Sequence, residues 1–313
     1  MQELQSEQNL ARIMDMTGSS FIMRGVNWFL TRRYFPGKWR IEKFLVSWMK
    51  VRTGYYFHPL GFWWQIENVS TMKTFLVNCE NSTSALIRRL LENNRIIFVD
   101  IGANLGWYTL LVKALNSNSK IFAFEPMNSV RDKLYQNLRQ NGFHDVRVES
   151  CALGASSDIS RLWTYSDNNG MHTLYPVKDW GAASGQEVRI EELDRYIDQL
   201  SKEDLPILLK LDVEGSEMEV LKGGTSLLEF DNTQIIIEIN ETMLATAGTS
   251  VEELFAFLRS FGFIGFWISP DLKLVSPSLQ NSLPHRDKLP SLEGANYFFT
   301  KNVEKIANKI QII

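Results

Sequence analysis

The sequence has little cysteine and no long apolar run. Cysteine occurs twice in 313 residues, at Cys79 and Cys151, and no Cys-x-x-Cys arrangement is present. A disulfide framework or a cysteine zinc site is therefore not indicated, and we expect both thiols to be buried. No stretch approaches the ~20 apolar residues that cross a bilayer. Because the first residues are polar and acidic, unlike a secretory signal, we expect a cytoplasmic protein.

The composition is that of an ordinary globular enzyme, with 44% apolar and 22% charged residues. A chain of 313 residues can bury one large core, and we predict one α/β domain at residues 95–313 preceded by an extension at residues 1–94. The net charge of −3 is unevenly distributed, because residues 21–64 contain eight Lys or Arg against Glu42. The extension is thus basic and the rest of the chain is acidic.

The N-terminal extension is also aromatic, since residues 21–64 contain five of the nine tryptophans. We predict helices within residues 21–52 and a short hairpin that turns near residues 58–61. Three interpretations are open for residues 21–64. They contact a membrane surface peripherally, they cover the active site and bind a carbohydrate by stacking, or they pack on the sheet or on a second subunit of a homo-oligomer.

Apolar strands alternate with amphipathic helices after residue 95, which predicts an α/β fold with a doubly wound, mostly parallel, seven-stranded sheet. The predicted strands are 96–100, 120–124, 146–151, 207–211, 235–239, 264–267 and 297–299. Residues 155–190 depart from this alternation, because they are polar and contain glycine. We predict that they form an inserted loop with a hairpin, which makes a wall of the substrate site.

The most informative motif is a glycine loop at residues 100–106, between an apolar strand and a helix. Glycine at 102 and 106 removes side chains that would keep a ligand away from the backbone, and the free N–H groups of the helix attract an anionic group. Glu125 ends the next strand, where it can accept hydrogen bonds from both ribose hydroxyls. These features predict a site for a dinucleotide or for S-adenosylmethionine.

Two residues of the loop favour S-adenosylmethionine. Asn104 occupies the position of the second glycine in Gly-x-Gly-x-x-Gly, where a pyrophosphate needs close approach to the backbone. Asp100 would repel two phosphates but would attract the α-ammonium group of S-adenosylmethionine. A nicotinamide-dependent reductase on a similar sheet is the alternative.

Acidic residues cluster after the fourth strand, where Asp212, Glu214 and Glu217 lie within six residues. Asp212 ends the strand next to the glycine loop, so we expect it beside the reacting methyl group. The acceptor proton can be taken by Asp212, by Glu214 or by His172 of the insertion.

A metal site is the further alternative for this edge of the sheet. Asp212, Glu238 and Asn240 offer three oxygen ligands that suit Mg²⁺, in an arrangement similar to that of catechol-type O-methyltransferases.

Five stretches resemble the FkbM-type methyltransferases, a family of S-adenosylmethionine-dependent enzymes with the class I methyltransferase fold. They are residues 99–109, 123–126, 193–194, 209–224 and 237–239, and the resemblance covers about residues 95–265. It implies methyl transfer to a hydroxyl oxygen of a sugar, glycan or natural-product scaffold, and similar loops of the family carry a histidine at the position of His172. A non-catalytic, cofactor-binding homologue is the alternative.

We expect the cofactor to contact the glycine loop and the ends of the neighbouring strands. The expected contacts are Asp100, Gly102, Ala103, Asn104, Gly106, Trp107, Glu125, Pro126, Cys151 and Asp212. Nucleic acid is not an expected partner, because the chain lacks the Asp/Asn-Pro-Pro-aromatic and Pro-Cys motifs of base methyltransferases and its main domain is acidic.

Overall fold

The computed structural model describes residues 54–58, 60–67, 71, 74, 81–92, 94–165, 172–177, 183–276 and 294–313. The chain divides into two compact units, residues 1–81 and residues 82–313. No helix in the described part of the chain is long and apolar enough to cross a membrane. The helices predicted within residues 21–52 lie outside the described residues, so membrane contact and self-association through residues 21–64 stay predictions.

The described part of the first unit is the predicted hairpin. Strands β1 (Gly54–His58) and β2 (Phe62–Ile66) pair antiparallel, with Gly54 opposite Ile66. Phe62 and Trp64 are buried, and the Trp64 indole N–H donates a 3.0 Å hydrogen bond to the Thr71 carbonyl. Aromatic side chains at alternate positions thus stabilise the hairpin.

The second unit is a three-layer α/β domain with an inserted second sheet. Its strands are β3 (Ile97–Ile101), β4 (Lys120–Phe124), β5 (Arg147–Glu149), β6 (Ala152–Leu153), β7 (Asp158–Tyr165), β8 (His172–Thr173), β9 (Ala183–Glu191), β10 (Ile207–Leu211), β11 (Thr233–Ile239), β12 (Ile264–Ile268), β13 (Leu274–Val275) and β14 (Ala295–Thr300). Its helices are α1 (Asn81–Leu91), α2 (Trp107–Leu115), α3 (Asn128–Gln140), α4 (Ile197–Leu200), α5 (Glu217–Lys222), α6 (Thr225–Leu228), α7 (Glu241–Thr246), α8 (Val251–Ser260) and α9 (Val303–Ala307), and a 3-10 turn at Leu193–Tyr196 precedes α4.

The central sheet has the strand order β13-β12-β14-β11-β10-β3-β4-β5. The pairs from β11 to β5 are parallel, whereas β14 is antiparallel to both β11 and β12. The predicted α/β fold with a mostly parallel sheet is confirmed. The structure adds the two-residue strand β13 at the edge beside β12, which brings the seven predicted strands to eight.

The neighbouring strands β3 and β10 lie inside the sheet, and all their residues are buried. Such uninterrupted burial is typical of parallel strands that are covered by helices on both faces. The register pairs Asp100 with Lys210 and Ile101 with Leu211, so both strands end at the same level. The loops that follow β3 and β10 therefore begin side by side.

The insertion at residues 155–190 was predicted as a loop with a hairpin, and its described residues are mostly strand. The long pair β7 and β9 is antiparallel, and it forms a four-stranded sheet in the order β6-β9-β7-β8. Most residues of β7 are exposed or half-buried, so its sequence is polar and lacks the apolar run that predicts a strand. Asn168, Asn169, Gly170 and Gly181, which are among the polar and glycine residues of the insertion, lie outside the described residues.

Candidate active site

Backbone hydrogen bonds hold the glycine loop against the end of β4. The N–H groups of Gly102 and Ala103 both donate to the Phe124 carbonyl at 3.0 Å, and Gly106 N–H donates to the Ala103 carbonyl at 2.8 Å. Asn104 has a left-handed φ of 50°, a conformation in which asparagine is enriched. The loop is thus a preformed turn between β3 and α2.

We predicted that Gly102 and Gly106 are glycines because a ligand approaches the backbone there, but the structure gives a different reason. Both have left-handed φ, 81° at Gly102 and 90° at Gly106. A Cβ on Gly102 would overlap the Asp212 carbonyl oxygen, and a Cβ on Gly106 would meet the Leu134 side chain. The side chains are excluded by neighbouring protein atoms, and at Gly102 the neighbour is the backbone of the predicted catalytic residue.

Asp100 is buried beneath the loop, where its carboxylate is held by helix α2. One oxygen, Oδ2, accepts hydrogen bonds from the Thr109 N–H at 3.1 Å and from the Thr109 hydroxyl at 2.6 Å. Burial raises the pKa of Asp100 to about 6, although the Thr109 hydrogen bond and Lys210 act in the opposite direction. The carboxylate thus lies in a dry site that a cationic group would stabilise.

Glu125 connects the glycine loop to the residues that follow β4. Its Oε2 accepts the Asn104 N–H and its Oε1 accepts the Met127 N–H, each at 2.9 Å. Burial raises the pKa of Glu125 to about 7. A carboxylate oxygen can accept more than one hydrogen bond, so both oxygens keep capacity for the predicted ribose contacts.

The other residues expected to contact the cofactor have structural partners. The Trp107 indole donates to Ser84 Oγ at 3.1 Å, which joins the start of α2 to α1. The Pro126 carbonyl accepts from the Gln186 amide of the insertion at 3.2 Å. Cys151 lies in the core with its thiol 3.6 Å from the Tyr196 hydroxyl, and burial raises its pKa to about 11. The thiol is therefore buried, as expected.

Asp212 follows β10 and faces the glycine loop. Its N–H donates to the Ile101 carbonyl at 3.0 Å, which extends the pairing of β10 with β3 by one residue. Its side chain keeps 30% of its surface exposed, and Oδ2 lies 3.5 Å from Lys210 Nζ. The structure therefore places a partly exposed carboxylate beside the loop.

The two glutamates after Asp212 are held in low-dielectric surroundings. Glu214 has a left-handed φ of 50°, and burial together with the charges of Asp212 and Glu217 raises its pKa to about 8. Glu217 is 2% exposed and its Oε1 accepts the Gly215 N–H at 3.2 Å. Its Oε2 is buried and has no hydrogen-bond partner among the described residues, and burial raises its pKa to about 7.

His172 lies in β8 of the insertion, next to a residue that contacts the acidic loop. Its Nδ1 is 3.1 Å from the Thr164 hydroxyl, and burial lowers its pKa below 6.5. The adjacent Thr173 donates its hydroxyl proton to the Glu214 carbonyl at 2.8 Å and accepts the Tyr175 N–H at 3.1 Å. The hydrogen bond from Thr173 thus attaches the insertion to the loop after β10, and His172 is the residue before this attachment.

The structure does not support the predicted magnesium site. Asn240 is the N-cap of α7, where its side-chain oxygen accepts the N–H groups of Thr242 and Met243 at 3.1 and 3.3 Å. Within the described ranges, no three His, Cys, Asp or Glu side chains converge to hold a metal ion. The asparagine oxygen that we assigned to the metal therefore serves to begin a helix.

A cavity of about 490 Å³ lies beside the acidic loop, between α5 and the start of α8. Gly215 forms its edge towards the loop, and Tyr175 of the insertion also contributes to its wall. Its other lining side chains include Met218, Glu219, Lys222, Thr249, Glu253 and Phe257. This volume is within the range of small-molecule sites, and the lining combines aromatic, charged and hydroxyl groups.

Sequence reasoning missed four polar residues of this site, namely Thr109, Thr173, Gln186 and Lys210. Only Lys210 had a local signal, because a single charge in the apolar strand β10 requires a buried partner. The other three act through partners that are 9, 41 and 60 residues away along the chain. No local pattern marks such contacts.

The burial and the charge of these carboxyl groups indicate which kind of ligand the site fits. Burial is the main cause of the raised pKa at Asp100, Glu125, Glu214 and Glu217, and the charge of Asp212 adds to it at Asp100, Glu214 and Glu217. Buried carboxylates in this state are stabilised by cations and destabilised by phosphates. The donor set therefore fits a ligand with positive charges and a ribose, as S-adenosylmethionine has.

Three curated proteins show what the chain is similar to. It is 34% identical over 160 residues to Methyltransferase sdnD of Sordaria araneosa, 29% over 157 residues to hexuronic acid methyltransferase AglP of Haloferax volcanii, and 25% over 204 residues to AMB antimetabolite synthetase AmbE of Pseudomonas aeruginosa. These matches cover 42%, 50% and 53% of this chain. The chain spans 61% of the first two relatives and 9% of the third.

The family assignment comes from a match to a family model. Residues 100–264 match the methyltransferase FkbM domain, from Asp100 of the glycine loop to the start of β12. The matched segment includes every residue proposed above for the cofactor site, and it confirms the resemblance seen in the sequence. Because the match spans more than half of the chain, the protein belongs to the FkbM methyltransferase domain family.

Proposed function

We propose that the protein is an O-methyltransferase that transfers a methyl group from S-adenosylmethionine to a hydroxyl of a sugar, glycan or natural-product scaffold. One observation carries the proposal: buried carboxyl groups at the carboxyl ends of β3, β4 and β10 surround the glycine loop. Ligands of open α/β sheets bind at this edge. A cationic methyl donor would compensate the negative charge of this site, and membership of the family indicates that the reaction is methyl transfer.

The residues that would hold the donor follow from their positions. Asp100 would face the α-ammonium group and Glu125 would accept from the ribose hydroxyls. When bound, S-adenosylmethionine supplies an electrophilic methyl group on a sulfonium. Asp212 is a partly exposed carboxylate at this edge and lies beside the glycine loop, so it would lie near the reacting methyl group and would align the acceptor hydroxyl.

The acceptor hydroxyl must lose a proton, and His172 is suited to take it. A lowered pKa keeps the imidazole neutral at pH 7, so a ring nitrogen is available as a base. The Thr173 hydrogen bond fixes β8 on the loop that carries Glu214. Glu214 and Asp212 are the alternative bases, and the raised pKa of Glu214 gives it proton affinity near neutral pH.

The acceptor class is supported by the relatives and by the cavity. AglP is named a hexuronic acid methyltransferase and AmbE an antimetabolite synthetase, which are a sugar activity and a natural-product activity. The cavity of about 490 Å³ beside Gly215 has room for a group of monosaccharide size. Its carboxylates and hydroxyls are the groups with which proteins bind polyols.

The test uses the full chain with methyl-labelled S-adenosylmethionine and a panel of hydroxylated glycans and natural products. We expect label in a methoxyl group of one acceptor class, and loss of transfer in D212N and H172Q with S-adenosylmethionine binding retained in H172Q. Thermal shifts with S-adenosylmethionine and with NADH separate the rival functions. Stabilisation by NADH alone would indicate the reductase, and binding of S-adenosylmethionine without transfer to any acceptor would indicate a non-catalytic homologue.

A further inference from the structure

Strand β10 is apolar except for Lys210, whose side chain is fully buried. A charge at this depth is costly unless nearby groups of opposite sign compensate it. Lys210 lies directly opposite Asp100 of β3 in the parallel register, one residue before the end of β10. The position therefore puts an ammonium group directly behind the carboxylates of the proposed cofactor site.

The contacts of Lys210 point to Asp212. Nζ lies 3.5 Å from Asp212 Oδ2 and donates to the Leu211 carbonyl at 3.2 Å. It also lies 5.3 Å from the centroid of the Tyr108 ring, which closes the other side of the ammonium group. Lys210 has no exposed surface whereas Asp212 keeps 30%, so the lysine is the fixed member of the pair and the aspartate is the member that reaches a ligand.

The surrounding charges explain why Asp212 needs such a partner. Asp212 raises the pKa of Asp100, Glu214 and Glu217, which shows that the four carboxyl groups interact, whereas Lys210 lowers the pKa of Asp100 and Glu214. Without a cation, mutual repulsion would turn a partly exposed member of this cluster towards solvent. Asp212 is such a member, because 30% of its side chain is exposed.

We propose that Lys210 is a positioning residue of the active site, which acts through Asp212 and holds its carboxylate towards the sulfonium of the methyl donor. This inference rests on the proposed use of S-adenosylmethionine. The readout must therefore report the charge of the sulfonium, which S-adenosylmethionine has and S-adenosylhomocysteine lacks. The ratio of the two affinities isolates the contact, because the two ligands differ only in the methyl group on sulfur and the positive charge that it brings.

The experiment is calorimetric titration of the full chain with each ligand, in wild type, K210M, K210R and D212N. We expect the ratio of S-adenosylmethionine to S-adenosylhomocysteine affinity to fall about tenfold to a hundredfold in K210M and in D212N, the range of one charge-assisted contact. K210R keeps the charge and should retain most of the ratio. If K210M binds both ligands more weakly by the same factor, Lys210 has only a structural role and the proposal is wrong. A higher affinity ratio in K210M would also overturn the proposal, because Lys210 would then oppose the charge of the sulfonium.

A double variant keeps the test decisive if K210M does not fold. K210M/D212N removes both members of the pair and leaves no unpaired partner, so it should be more stable than K210M. If Lys210 acts through Asp212, the double variant should have the affinity ratio of D212N within about twofold, as expected for coupled sites. A further tenfold loss would contradict the proposal. If the wild type binds neither ligand, the proposed function fails first and this inference fails with it.

Discussion

Replacing Gly102 by alanine tests how tightly the glycine loop is fitted against the proposed active site. Gly102 has a left-handed φ of 81°, and a Cβ there would overlap the Asp212 carbonyl oxygen and lie 3.0 Å from its carbonyl carbon. The left-handed conformation costs an alanine about 1 to 2 kcal/mol. Overlap with backbone atoms, which cannot rotate away, costs about 1 to 3 kcal/mol more. We expect G102A to lower the free energy of unfolding by about 2 to 5 kcal/mol.

Gly142 provides the matched control for this substitution. It also has a left-handed φ, of 70°, but a Cβ there would have no atom within 4 Å. G142A should therefore cost only the conformational part, about 1 to 2 kcal/mol. The free energies are measured by urea unfolding followed by circular dichroism, and the difference between the two variants gives the cost of the overlap.

The same two variants, G102A and G142A, test whether the fit of Gly102 against Asp212 also affects the binding of S-adenosylmethionine. Relief of the overlap must move either the loop or the Asp212 backbone, so G102A should bind S-adenosylmethionine at least about tenfold more weakly than wild type. G142A lies outside the site and should bind it as wild type does. If both variants lose equal stability and both bind normally, Gly102 is not pressed against Asp212 and our description of the loop is wrong.

Three further predictions concern stability, and urea unfolding measures each of them. Burial raises the pKa of Glu217 from 4.5 to about 7. The ionised carboxylate therefore destabilises the folded protein; this cost is zero below pH 4.5 and reaches its full value above pH 7. Relative to wild type, E217Q should therefore gain up to about 3 kcal/mol between pH 5 and pH 8, and an equal difference at both pH values would contradict this. T173V removes the hydrogen bond to the Glu214 carbonyl and should cost about 1 to 3 kcal/mol; unchanged stability would mean that the insertion is held by other contacts. S250A removes the capping box of α8, formed with Glu253, and should cost about 1 kcal/mol, with no loss as the contrary result.

The central strands could be predicted because they are uninterrupted apolar runs between helices. Lys120–Phe124 and Ile207–Leu211 have the predicted bounds, and the predicted strand 96–100 is shifted by one residue to Ile97–Ile101. The predicted strand 146–151 was too long. The strand of the central sheet is Arg147–Glu149, the next strand, Ala152–Leu153, belongs to the inserted sheet, and the change of hydrogen-bonding partner leaves no mark in the local pattern.

The position of the site could be predicted better than its internal contacts. Parallel strands end at one edge of a sheet, so Asp100, Glu125 and Asp212 were expected together, and the structure brings them to that edge. The overlap that forbids a side chain at Gly102 and the pairing of Lys210 with Asp212 depend on the register of β3 with β10. These strands are about a hundred residues apart in the chain, and local patterns do not give their register.

We propose that this site places a methyl group from S-adenosylmethionine on a hydroxyl oxygen. The most direct measurement is incubation of the full chain with methyl-labelled S-adenosylmethionine and uronic-acid oligosaccharides, followed by mass spectrometry before and after alkaline hydrolysis. We expect a labelled methyl ether that survives alkali in the wild type and is absent with D212N. Label that alkali removes, as from a methyl ester, or label that D212N transfers as well as wild type would contradict the proposal.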